Sequence, residues 1–241
     1  TPAYLIGLYP TQGSVGTTIT IEGVGYEEGG TITIDFGTHQ TITTTIAEAS
    51  GTFSVTFLVS TQSYSTKTIT ITAHCSLLTT LFFLKPALIT SLNPQIGSIG
   101  TTVTIEGIGF EAETVYIHFG LTQSIATQTV SSSGTFSATF IVDSQSSGTR
   151  VITAATTEAL ATTCFTMKGA YITLSRPQGK VGDVITVNGF GFKDTEPVQI
   201  DFGTALTITT ALPGAKGTFS ATFTVNAQPW VSGIGLDKKV T

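Results

Sequence analysis

The chain has 241 residues and a mass of 25.1 kDa, long enough for one large domain or two to three small ones. Only 10% of its residues are charged and 40% are hydrophobic, with a net charge of −5 and a mean hydropathy of +0.33; nucleic acid is thereby disfavoured, since phosphate binding needs clustered cations. No apolar run approaches the roughly 20 residues of a membrane-spanning helix, and the longest, LLTTLFFL at 77–84, has strand length.

Read from the N-terminus, apolar and polar residues alternate with period 2. Ile19 and Ile21 oppose Thr18, Thr20 and Glu22; Ile32, Ile34 and Phe36 follow the same phase, as do Phe53, Val55, Phe57 and Val59. Marking each run and the Gly, Pro, Asn and Ser clusters between them predicts strands over 3–8, 17–22, 31–36, 40–46, 52–59, 67–73 and 77–84. Threonine, about a fifth of the chain, covers the outward faces, because its branched Cβ suits a pleated backbone. Seven short strands of this kind predict an immunoglobulin-like sandwich whose two apolar faces stack into one core. The paired glycines of EGVGY, EGIGF and NGFGF are read as turn residues between the second and third strands. A phosphate-binding loop in GVGYEEGG is rejected, because such a loop must open a helix and here a strand follows.

The pattern is then written again. GTF begins at Gly51, Gly134 and Gly217, a constant interval of 83 residues, too long for a solenoid unit. The fold class expected is all-β: three tandem immunoglobulin-like β-sandwich domains at 1–86, 87–169 and 170–241, the third incomplete at its C-terminal end. The order P-x-x-G-x-x-G-T-x-[VI]-T-I-x-G-x-G-[YF], then I-x-F-G, then G-T-F-S-x-T-F, resembles the IPT/TIG-type immunoglobulin-like domains found in tandem in microbial surface and secreted proteins. It covers repeats one and two fully and most of repeat three, where Asp183 replaces the Thr of GT and Asn188 replaces Glu. The motif consists of turn glycines and core positions, so the resemblance implies a fold and not a ligand.

Against the sixth strand of the earlier copies, the third offers KKVT before Thr241. Most of strand six and all of strand seven are therefore expected to be missing, which would leave a sheet edge unpaired. Either a longer array continues the chain or a neighbouring subunit donates the strand. The chain opens on threonine with no basic segment followed by an apolar stretch, which reads as a mature or excised segment.

Lys85-Pro86 and Lys168-Gly169 are the only residues between consecutive repeats, so stiff joints are expected. The loop after the second strand is acidic in each copy (Glu27 and Glu28, Glu111 and Glu113, Asp194 and Glu196) and is expected to face the preceding domain. Lys85 is thus predicted near Glu111 or Glu113, and Lys168 near Asp194 or Glu196; a solvated acidic loop is the competing reading. Trp230, the single tryptophan, is a subunit-contact candidate or a cap on its own domain.

No catalytic set emerges, and the chain is read as non-enzymatic. His39, His74 and His118 are scattered, with His118 in the outward slot that Asp35 and Asp201 hold. Cys164 aligns with Leu81 and is expected to be a buried free thiol; Cys75 is expected near a loop, and a bridge between the two would need Cα atoms within about 7 Å. No cofactor is expected. Ca2+ is considered because acidic loops are present, but none has the carboxylate density of an EF-hand. Clusters such as TITTTI offer hydroxyls for O-linked glycans, while Asn93, Asn188 and Asn226 all miss the N-linked signal. The leading functional expectation is a structural subunit of an extracellular microbial filament, appendage or surface layer at the cell surface, partnered by copies of itself. The rivals are an adhesin or carbohydrate-binding stalk, and an accessory region of a secreted enzyme.

Overall fold

A computed structural model describes residues 2–74 and 76–228, all strands, turns and loops. Two compact units are present: Thr1–Asn93 with Thr104–Thr139 and Ile152–Thr163, and Pro94–Val103 with Phe140–Val151 and Cys164–Thr241. The middle repeat contributes segments to each.

The first repeat holds β1 (Tyr4–Tyr9), β2 (Gln12–Gly13), β3 (Thr18–Val24), β4 (Thr31–Phe36), β5 (His39–Ile46), β6 (Thr52–Leu58), β7 (Ser65–Ala73) and β8 (Ser76–Leu84). They form two sheets, in the orders β1-β3-β6 and β2-β8-β7-β4-β5. All seven predicted strands are present. The additional β2, two residues running parallel to β8, is too short to display alternation.

The core forms where the apolar phases of the two sheets meet: Ile19 and Ile21 of β3, Ile32, Ile34 and Phe36 of β4, Ile69 and Ile71 of β7, and Phe82 and Leu84 of β8 are all sealed from solvent. Each such side chain contributes about 1.5–3 kcal/mol on burial. Phe36 meets Phe82 edge to face at 5.7 Å.

The two glycines of EGVGY have separate causes. Gly25 has φ +89° and serves the turn as expected. Gly23 lies inside β3, where a Cβ would strike the Phe53 ring; its job is close packing, which corrects the turn reading.

The middle repeat restates the series as β9 (Leu88–Asn93), β10 (Ile96–Gly97), β11 (Thr102–Ile108), β12 (Thr114–Phe119), β13 (Thr122–Thr129), β14 (Thr135–Ile141), β15 (Gly148–Ala155) and β16 (Leu160–Met167). β9 pairs with β11, β12 lies between β13 and β15, and β10 runs parallel to β16. Cys164 is exposed, contrary to the expected buried thiol. Its counterpart Leu81 is also exposed, because in β8 the inward phase belongs to Phe82 and Leu84. The continuous apolar run LFFL hides the alternation that would have set the phase. Cys75 lies outside the described residues.

The third repeat contributes β17 (Tyr171–Leu174), β18 (Val184–Phe190), β19 (Val198–Phe202), β20 (Ala205–Ala211) and β21 (Phe219–Thr224), in sheets β17-β18-β21 and β19-β20. Among the described residues β19 pairs with β20 alone, whereas β4 and β12 also pair with β7 and β15. The expected remnant of strand six and the position of Trp230 lie outside the described residues. The architecture is that of tandem immunoglobulin-like β-sandwiches.

Candidate functional site

Among the described residues, loops of one repeat meet the next through close approaches of backbone. The loop between β2 and β3 is a tight turn: the Ser14 amide donates to Thr17 Oγ1 (3.0 Å), the Thr17 amide to the Ser14 carbonyl (3.0 Å), and the Gly16 amide to the Val59 carbonyl (2.9 Å). The loop between β10 and β11 repeats these bonds at Ser98, Thr101, Gly100 and Val142. In the third copy the Asp183 carboxylate replaces the threonine hydroxyl, accepting from the Lys180 amide at 2.9 Å. The Asp183 amide donates to Lys180 O and Gly182 to Val225 O. The substitution that breaks the sequence motif thus preserves its geometry, because both side chains offer an oxygen at the same reach.

The first two loops press on glycines of the next repeat. Ser14 Cβ lies 2.9 Å from where a Cβ on Gly109 would stand, and Ser98 Cβ is 2.9 Å from the same point on Gly191. A Cβ on Gly16 would fall on the Ser133 carbonyl, and one on Gly100 on the Lys216 carbonyl. Gly134 faces the Val15 carbonyl, and Gly217 faces Ile99. All six glycines have positive φ, between +65° and +82°, so each is required twice over: by its own backbone and by its neighbour's approach.

The predicted residues surround this joint without ion-pairing across it. Lys85 and Lys168 donate backbone amides to the Gly13 and Gly97 carbonyls, both at 2.7 Å. Glu111 is buried and its carboxylate accepts from the Thr156 hydroxyl, while Glu113 accepts from the Thr157 amide at 2.7 Å; both are engaged inside the middle repeat. Glu196 pairs with Lys193 at 2.9 Å, and Asp194 is exposed. The Glu196 hydrogen bond and charge hold the Lys193 ammonium above the ordinary lysine range. No ion pair among the described residues joins Lys85 to Glu111 or Glu113, or Lys168 to Asp194 or Glu196. Lys168 instead lines a cleft with Ser98, Tyr171, Phe190 and Lys216, where Tyr171 stacks on Phe190 at 5.0 Å and 16°.

Sequence reasoning missed the residues that make the joint, Val15 and Ile99 on one side and Ser133 and Lys216 on the other. The available signal was the S-[VI]-G-T recurrence, in which a glycine keeps its place outside any strand. It also left the role of the Asp35, His118 and Asp201 slot open. These side chains accept the amides of Thr41 (2.7 Å), Ser124 (2.9 Å) and Thr207 (2.6 Å), three non-glycine residues with φ near +50°. His118 therefore fastens a turn. No group of three or more metal-ligating side chains occurs among the described residues, and no helix there is long and apolar enough to cross a membrane.

Residues 87–175 match the IPT/TIG domain, and no curated protein matches the chain in sequence. Among solved structures the chain is similar to invasin, a bacterial integrin-binding protein (15% identity, 94% of this chain and 54% of that one, TM-score 0.34). It is similar also to a protein crystallised with xylogluco-oligosaccharide (15%, 95% and 55%, TM-score 0.37) and to the Yersinia pseudotuberculosis adhesin InvE (12%, 76% and 66%, TM-score 0.30). The chain spans about half the length of the first two.

Proposed function

With residues 87–175 an IPT/TIG domain, we propose that the chain is a non-catalytic structural subunit of an extracellular or cell-surface filament, appendage or surface layer that assembles with copies of itself. The observation that carries this reading is the outer face of β8. Leu77 (67% exposed), Leu81 and Phe83 form an apolar stripe there, in a chain with only ten basic residues to solvate its surface. Three exposed apolar side chains on one strand face, interrupted by Thr79, support an interaction surface there, and short threonine-covered strands suit lateral packing. Clustered threonine hydroxyls would carry any O-linked glycan, and no cofactor is needed. Electron microscopy of the native material tests the reading: regular polymers or sheets built from this chain are expected, and isolated particles throughout would overturn it.

An adhesin or carbohydrate-binding stalk is the second reading, supported by Tyr171, half-exposed and stacked flat on Phe190 as a platform for a sugar ring. Saturable oligosaccharide binding that Tyr171→Ala abolishes would favour it.

A further inference from the structure

The two joints share their backbone geometry and differ in what lines them. Ser14–Thr17 and Ser98–Thr101 make the same turn bonds, and the Lys85 and Lys168 amides donate alike to the Gly13 and Gly97 carbonyls. The first joint carries Leu88, Ile108 and Ser133; in register with them the second carries Tyr171, Phe190 and Lys216. The joint therefore forms with either set, and its geometry does not explain two aromatic rings and an added cation.

The exchanged residues converge. Tyr171, Phe190 and Lys216 line one cleft of about 310 Å³ with Lys168, Ser98 and Thr218, at the small end of ligand sites, which span about 300–1,000 Å³. Tyr171 and Phe190 are direct partners across β17 and β18, and their rings lie nearly parallel, 5.0 Å apart at 16°. Among the described residues β17 is the edge of its sheet, so Phe190 backs one face of Tyr171 and no strand flanks the other. A flat ring with an open face receives the C–H side of a sugar ring, whose weakly positive hydrogens meet the negative π face.

Charge narrows the sugar. The chain has ten Lys and Arg against fifteen Asp and Glu, yet two lysines meet at this cleft and no carboxylate lines it. Neither lysine is in an ion pair among the described residues, so neither charge is already answered. Ser98 and Thr218 add hydroxyls that can donate to or accept from those of a sugar.

Resting on the carbohydrate-binding reading, we infer that this cleft binds an anionic saccharide, with Tyr171 stacked on the sugar ring and Lys168 and Lys216 on its carboxylate or sulfate. The ring selects a flat sugar and the two ammonium groups select its charge, because a charge-assisted hydrogen bond is stronger than a neutral one.

A glycan array carrying neutral, uronate-bearing and sulfated saccharides, probed with the 241-residue chain, tests this, and the uronate and sulfate spots separate the two sources of negative charge. Anionic spots of either kind should be bound and neutral ones left blank. In calorimetric titration of the saccharide bound, affinity should fall as salt rises from about 10 mM to about 1 M. Lys168→Ala and Lys216→Ala should each weaken it about three- to tenfold, and Tyr171→Ala should abolish it. Tyr171→Leu, Phe190→Ile and Lys216→Ser together give the second joint the lining of the first; this variant should keep the circular dichroism of the parent and bind nothing. Retained binding in that folded variant overturns the site. Neutral saccharides bound as well as anionic ones, without salt dependence, overturn the inference while sparing the carbohydrate-binding reading, and an array blank throughout overturns both. An oligothymidylate probe bound in preference to every saccharide overturns the sugar assignment.

Discussion

The first and third repeats are built from nearly the same sentence and are closed to different degrees. In the first, Phe36 at the end of β4 is fully sealed, with β5 on one side and β7 on the other. In the third, the corresponding Phe202 at the end of β19 is half-buried, and β20 is its strand's partner among the described residues. Ile185 and Val187 nonetheless repeat the burial of Ile19 and Ile21. Sequence repetition therefore copies each strand and turn locally, while the burial of an equivalent side chain differs between copies. Phe36→Ala should cost about 3–5 kcal/mol, as for other fully buried aromatic truncations. Phe202→Ala should cost less than half as much. Residue-resolved hydrogen exchange separates the two repeats, and equal losses would break the comparison.

Glycines sharpen it next. Gly16→Ala and Gly100→Ala place a methyl on the facing carbonyl, so either should open its joint. Gly182→Ala carries the backbone strain of φ +95° but meets no neighbour, and should cost only about 1 kcal/mol. Small-angle scattering reads the difference: broadened interdomain distances for the first two variants, and an unchanged profile for the third at dilutions where the chain is monomeric. A Gly182→Ala chain as distorted as Gly16→Ala would mean that strain and not the neighbour is the decisive term.

Much of this was legible in advance. Alternation placed the seven strands of the first repeat, because one wet and one dry face impose period 2. It failed in LFFL, where successive apolar residues carry no phase and Cys164 inherited the error from Leu81. The joints were read incompletely for a different reason: Lys85 and the acidic loops are conspicuous by charge, whereas Val15, Gly16 and Ser133 act through backbone shape. A glycine kept at one place in each repeat is visible in a sequence, but the carbonyl it makes room for belongs to the next repeat and is not.

Tyr26 tests the first core on a smaller scale. It occupies the place of Phe110 and Phe192, stacks edge to face on Phe53 at 5.0 Å, and has a buried hydroxyl with no partner among the described residues. Tyr26→Phe removes that unpaired group and should stabilise the first repeat by about 1–3 kcal/mol. Burial raises the phenol above its ordinary value of 10.0, so the folded state favours the neutral form. Stability from this group is complete below about pH 10 and declines as pH rises from there through the folded value, since only the unfolded phenol then ionises freely. Chemical denaturation between pH 9 and pH 11.5 should show a loss that Tyr26→Phe reduces. An identical loss in the variant would place the alkaline sensitivity elsewhere.

The smallest effect belongs to the ion pair of the third repeat. Lys193 and Glu196 meet at 2.9 Å with both side chains largely in water. Solvent screens such a pair, and ordering two long side chains opposes it. Because Glu196 raises the Lys193 value, whatever the pair contributes is present below the ordinary lysine range and vanishes as pH climbs through the folded value. Lys193→Ala should therefore leave the denaturation midpoint of the third repeat unchanged at pH 7. A measurable drop would mean that this loop is held by more than its fold, and that the acidic turn works as a fastening in the third repeat.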